Sequence, residues 1–176
     1  MITLFSLMWA FAFFFAFLGF LRGWNQELVA TAGIVLALFA ILQFDGLLRG
    51  ILLFTLPRDQ IFILQAGAFA AVVVLVYQAR EVRGARRREQ NNWQSAILGG
   101  MMGFFNGYLI GGTLWYLLDI NEYPLSQFVT APAINSPSAF NLNWMPIMLI
   151  GGGASGTGEL LAVAVIVLLF FVVVVV

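Results

Sequence analysis

The stretch SAILGGMMGFFNGYLIGG, residues 95–112, decides how this chain folds. Gly99, Gly103, Gly107 and Gly111 recur at every fourth position, Ser95 extends the row by one step, and Gly100 and Gly112 widen it. Residues four apart share one face of a helix, so the row is a stripe without side chains. In water each glycine costs about 1 kcal/mol against alanine in a helix. In lipid, unwinding strands backbone polar groups with no water to bond them, which keeps such a helix wound. A bare stripe lets a second helix approach almost to backbone contact. The segment therefore reads as a membrane helix built for packing, against another helix of this chain or against a separate subunit. Within the chain, the small-residue faces Gly33 with Ala37, or Gly67 with Ala71, are the candidate partners.

Composition agrees with that reading. Hydrophobic residues make up 62% of the 176 residues and charged residues 9%, against about a quarter charged in soluble domains. Too few charges remain to clothe a water-facing surface, so the chain is an integral membrane protein. Lysine is absent, and the arginines crowd into one loop, with Arg80, Arg83, Arg86, Arg87 and Arg88 between Gln78 and Trp93. One short basic loop among apolar runs sets membrane orientation and carries no nucleic-acid signature. With no cysteine or histidine, a disulfide framework, a thiolate metal site and the usual haem ligand are excluded. No cofactor and no resident metal are expected.

Five apolar stretches have the length of a span, about 17–25 residues: 2–21, 28–44, 61–77, 96–118 and 160–176. The first is read as retained, because it lacks the basic flank of a signal peptide. The fold class expected is all-α, a polytopic membrane helix bundle of about five transmembrane helices. A four-helix membrane core occupies 1–118, an extracytoplasmic loop 119–158, and a C-terminal transmembrane helix 159–176. Between the second and third spans, Asp45–Leu56 is short and charged. Asp45 and Arg49 are four apart, and Leu47, Leu48, Ile51 and Leu52 form an apolar face. This reads as an interfacial helix ended by Pro57; the competing reading continues the second span. In the 119–158 loop, prolines interrupt regular structure, the patch Trp144–Ile150 is expected to dip into the interface or touch a partner, and the glycine-rich tail 151–158 has linker composition.

The arginine loop belongs on the cytoplasmic side. Alternation then sets the N-terminus outside and the C-terminus inside, in a bacterial inner membrane. Among single residues, Arg22 and Glu27 form the best charged pair: Arg22 anchors the end of the first span, and Glu27 opens the second, where a negative charge is favoured. Both are also candidates for contact with lipid headgroups or a partner's loop, as are Arg86, Arg87 and Arg88. Asn106, deep in the glycine helix, is suited to a hydrogen bond across a helix interface, and Gln65 is its counterpart in the third span. No ionisable group is expected inside a span, which argues against active transport.

Gly19-Phe20-Leu21-Arg22-Gly23, followed by Glu27 at the head of the next span, and later Leu98-Gly99-x-x-x-Gly103-x-x-x-Gly107, resemble the colicin V production family of bacterial inner-membrane proteins. The likeness covers about 18–44 and 94–118. Family members carry an acidic–arginine pair where this chain has Gln94 and Ser95, an arginine where it has Asn106, and generally four spans. The resemblance implies a non-enzymatic membrane protein linked to toxin export and envelope maintenance, acting as a scaffold or accessory through helix packing with itself or with other membrane subunits and lipids. The alternative expectation is a small accessory subunit of a larger energy-transducing complex, photosynthetic or respiratory, with the phenylalanine-rich first span and the bare C-terminal span facing its partners. A passive channel ranks third.

Overall fold

The computed structural model describes residues 3–84, 93–133, 135–152 and 158–175. These residues form helices, turns and short irregular segments, with no strand among them. The helices are α1 (Leu4–Arg22), α2 (Trp24–Leu47), α3 (Arg58–Gly84), α4 (Trp93–Ile120), the short α5 (Pro137–Phe140) and α6 (Pro146–Gly151), and α7 (Glu159–Val175). Among the described residues, α1, α2 with its extension, α3 and α4 are long and apolar enough to cross a membrane. The apolar α7 is shorter, at 17 residues.

Thr3 starts α1, its Oγ1 accepting the Ser6 N–H at 3.2 Å. The helix ends at Gly23, whose φ of 84° is open to glycine and strained for other residues. The Gly23 N–H closes on Gly19 O at 2.8 Å, and α2 begins at once. This tight hairpin sits on the start of α4, where Ser95 Oγ accepts the Trp24 N–H at 3.3 Å.

The glycine row of α4 meets α1, and neither of the faces expected from sequence. A methyl group placed on Gly99 would lie 2.7 Å from Gly23 Cα, one on Gly103 3.0 Å from Gly19 Cα, one on Gly107 2.8 Å from Ala12 Cα, and one on Gly111 3.2 Å from Met8 Cα. As the number rises in α4 it falls in α1, so the pair is antiparallel and in register over more than three turns. Gly33 instead packs against the Val76 side chain of α3, and Gly67 faces open space. The reason is steric: α1 offers Ala12, Gly19 and bare backbone on one face while its large rings turn away, Phe13 being 67% exposed.

One further expectation is corrected, and a second segment is placed. No separate interfacial helix occupies Asp45–Leu56: α2 runs on into a π-helical turn, Leu48–Leu52, closed by the Leu53 N–H on Leu48 O at 2.7 Å. The competing reading, a second span that continues and buries this piece against other helices, holds for the continuation alone, since Leu47, Ile51 and Phe54 are exposed. The Trp144–Ile150 patch docks on its own bundle. Met145 and Ile147 are buried, and Pro146 fills the notch at Gly112, where a methyl group would lie 2.6 Å from Pro146 Cγ. Gly112 is eight residues before the end of α4, about 12 Å down the helix. Part of the 119–158 segment therefore packs back along α4. Residues 153–157 of the glycine-rich tail lie outside the described residues.

Candidate interhelical polar site

Asn106 and Glu27 come together with Arg22, and with two residues that the sequence did not single out, Thr31 and Tyr77. The Gly23 hairpin lays the first turn of α2 against α4. From there Glu27 meets Asn106, 13 residues beyond the start of α4, about 20 Å along it. Glu27 is 0% exposed. Glu27 stands in the first turn of α2, as the sequence reading has it; the helix is longer than the apolar stretch 28–44 and takes this buried carboxyl in with it.

The Asn106 amide donates to Glu27 Oε2 at 2.9 Å and to the Glu27 carbonyl at 3.2 Å. The Tyr77 hydroxyl donates to the same Oε2 at 3.0 Å. The Thr31 hydroxyl lies 2.7 Å from Asn106 Oδ1 and 2.9 Å from the Glu27 carbonyl. It has one proton and so serves one of these acceptors at a time. Arg22 Nε stands 3.5 Å from Glu27 Oε1, which has no hydrogen bond of its own. The guanidinium also donates to Tyr77 O at 3.2 Å and to Gln26 Oε1 at 3.3 Å, and lies 4.3 Å above the Tyr77 ring.

Two neutral donors converge on one oxygen of the buried carboxyl and the Arg22 guanidinium faces the other. Chemically the arrangement is a clamp: Arg22 of α1, Tyr77 of α3 and Asn106 of α4 converge on the Glu27 carboxylate of α2, and Thr31 braces Asn106. Thr31 was legible as the residue one turn past Glu27. Tyr77 carried no signal beyond its place at the end of an apolar run.

A second polar cluster ties the opposite ends of α2, α3 and α4. Asp45 Oδ1 accepts from Arg49 Nε at 2.7 Å and from the Gln65 amide at 2.9 Å. Gln65 Oε1 accepts from Arg49 Nη2 at 3.1 Å and from Asn121 Nδ2 at 3.2 Å. Just beyond α4, the Tyr123 hydroxyl donates to Asp119 at 2.9 Å and accepts from the Trp115 indole at 3.2 Å. Burial pushes the Tyr123 phenol up, and the neighbouring Asp119 charge adds to the shift. Arg58 pairs with Glu122 on the exposed rim.

Gly99, Gly103, Gly107 and Gly111 lie on the α1–α4 seam, away from these side chains. Arg86, Arg87 and Arg88 lie outside the described residues. Among the described residues, no group of three His, Cys, Asp or Glu side chains is gathered to hold a metal. Comparison with protein-family models, with curated proteins and with solved structures finds no match to this chain.

Proposed function

We propose that the protein is a non-enzymatic membrane scaffold or accessory protein of the colicin V production type, acting through its packed helices on copies of itself or on other membrane subunits. In this reading the chain lies in a bacterial inner membrane with five spans, α7 being the fifth, its N-terminus outside and its C-terminus in the cytoplasm. The observation that carries it is the division of α1 into two faces. One is bare and closed against the glycine row of α4. The other turns Phe13, Phe14, Phe17 and Leu21 outward. Glycine packing thus makes the stiff core, and the aromatic face is left for a neighbour. Support for the family comes from the roles its motif residues take: Gly23 makes the hairpin, Glu27 the clamp, and Gly99, Gly103 and Gly107 the seam.

The outward phenylalanine row also suits the second reading, an accessory subunit of an energy-transducing complex. Extraction in mild detergent followed by a native gel separates the two. A small homo-oligomer is the expected outcome, whereas co-migration with cofactor-bearing subunits selects the second reading. Single cysteines introduced at 125–133 are expected to label from outside intact cells and one at Arg86 to stay protected; the opposite pattern reverses the orientation.

A further inference from the structure

At the N-terminal end of α1 the structure holds a half-open cavity of about 570 Å³. It lies between the first turns of that helix, the irregular segment from Phe128 to Ala133, and the start of α5. Small-molecule pockets run from about 300 to 1,000 Å³, so the volume suits a ligand of that kind. Leu4, Leu7, Phe128, Val129 and Pro132 give the cavity apolar walls. Thr3, Thr130, Ser136 and Ser138 bring hydroxyl groups to it, and none of the residues that line it is charged.

Two independent features point to the ligand. The first is the helix start. The opening N–H groups of a helix have no acceptor within it, and that end of the dipole favours negative charge. The first turn of α1 has no acidic residue, and the Thr3 side chain caps the Ser6 N–H, which leaves the Leu4 and Phe5 N–H groups without an acceptor from the helix itself. The second is Ser138. This residue lines the cavity and is 4% exposed, and its enclosed hydroxyl has no hydrogen-bond partner. Its neighbour Ser136 is already engaged, accepting the Ala139 N–H at 3.2 Å. A buried hydroxyl without a partner is costly, and an acceptor on a ligand would satisfy it. These donors are all neutral. A phosphate is characteristically held by arginine or lysine, and neither lines the cavity. A single negative charge on two oxygens, with an apolar body for the walls, matches what is present.

We propose that this cavity binds a free fatty acid: the carboxylate meets the opening N–H groups of α1 and the Ser138 hydroxyl, and the hydrocarbon chain lies on Leu4, Leu7, Phe128 and Val129. Leu7 stands about one turn past Leu4, so the apolar wall continues down α1 from the polar end. The site is separate from the glycine seam and from the Glu27 clamp, and it does not depend on which partner the aromatic face meets.

The test uses the full chain in lauryl maltoside, titrated with decanoate or decanol, each labelled with carbon-13 at its first carbon. The NMR signal of bound ligand is followed apart from that of ligand in micelles. Wild type is expected to give one saturable decanoate signal and to bind decanol, which has the same chain and no charge, roughly ten-fold more weakly. Ser138→Ala is expected to weaken decanoate about ten-fold, the effect of one hydrogen bond to a charged group. Ser6→Glu puts a carboxylate in the first turn, where it completes a capping box with Thr3 and keeps the helix start folded. It is expected to abolish decanoate binding and leave decanol binding unchanged. Ala131→Trp, which fills the cavity from its irregular wall, is expected to block both ligands. Phe140→Ala, on α5 and outside the cavity, is expected to bind as wild type. Thermal melts without ligand check that each variant is folded. Equal affinity of wild type for decanoate and decanol overturns the proposal. So does the absence of a saturable signal, a decanoate affinity that Ser138→Ala and Ser6→Glu leave unchanged, or tighter binding of decyl phosphate than of decanoate.

Discussion

The helix pairs α1–α4 and α2–α3 solve the same problem in opposite ways. The first pair closes on shape alone: glycine meets backbone at every turn from Gly99 to Gly111, and no polar side chain is needed along the seam. The second pair touches at Gly33 and Val76 and is stapled near both ends by polar groups, Tyr77 to Glu27 at one and Gln65 to Asp45 at the other. Its middle stays open over alanines. In lipid there is little hydrophobic drive to bring helices together, so contact comes from close packing or from hydrogen bonds. Where the sequence supplies glycine on both partners, packing suffices. Where it supplies alanine facing alanine across a wider gap, polar staples hold the ends and leave a space between them.

This contrast can be broken at four points. Gly107→Leu should have the largest effect, about 3 kcal/mol or more, because a branched side chain has only the α1 backbone to displace. Melting in detergent as stable as wild type would dissolve the distinction between the pairs. Glu27→Ala follows at about 3 kcal/mol, since it leaves Arg22 and the Asn106 amide facing a void inside the bundle. It should loosen α3 as well as α2, read as faster hydrogen exchange in both helices; a change confined to α2 would mean that the carboxylate is no clamp. Tyr77→Phe removes one of the donors to Glu27 and should cost about 0.6 kcal/mol, the usual worth of a single interhelical hydrogen bond in a membrane. A cost as large as that of Glu27→Ala would move the weight of the cluster onto the tyrosine. Gly67→Leu should be neutral or slightly stabilising, because nothing lies within 4 Å of that position and leucine favours the helix by up to about 1 kcal/mol over glycine. Placed beside Gly107→Leu, it measures how far the glycine effect belongs to position and not to residue type.

The glycine stripe was legible because four-residue spacing is a property of one helix. Its partner was not, because the face that α1 presents is made of backbone between phenylalanines. Ala12 and Gly19 are separated in sequence by rings that point elsewhere, so the run reads as aromatic and hides its bare side. Gly33–Ala37 and Gly67–Ala71 carry the clearer small-residue pattern and make no such seam. Glu27 was legible as a helix-opening acid. Its depth was not, since that depends on where the hairpin is laid along α4, a relation between segments nearly 80 positions apart. Asn106 stood out as an amide on an apolar helix, and the carboxylate it bonds is outside any periodic signal. The continuation of α2 through Leu48–Leu52 is similarly tertiary: Asp45 and Arg49 read as a surface pair until Gln65 and Asn121 close around them.

The antiparallel register of α1 on α4 also fixes an order of events during synthesis. Gly19 leaves the ribosome 80 residues ahead of Gly99, which at about 5–20 residues per second is a delay of roughly 4–16 s. Through that interval the first helix sits in the bilayer with its notched side unmatched, while two other helices are threaded beside it. Until the fourth helix is made, that face can only meet lipid or a temporary neighbour, so the tightest seam of the fold is among the last to close.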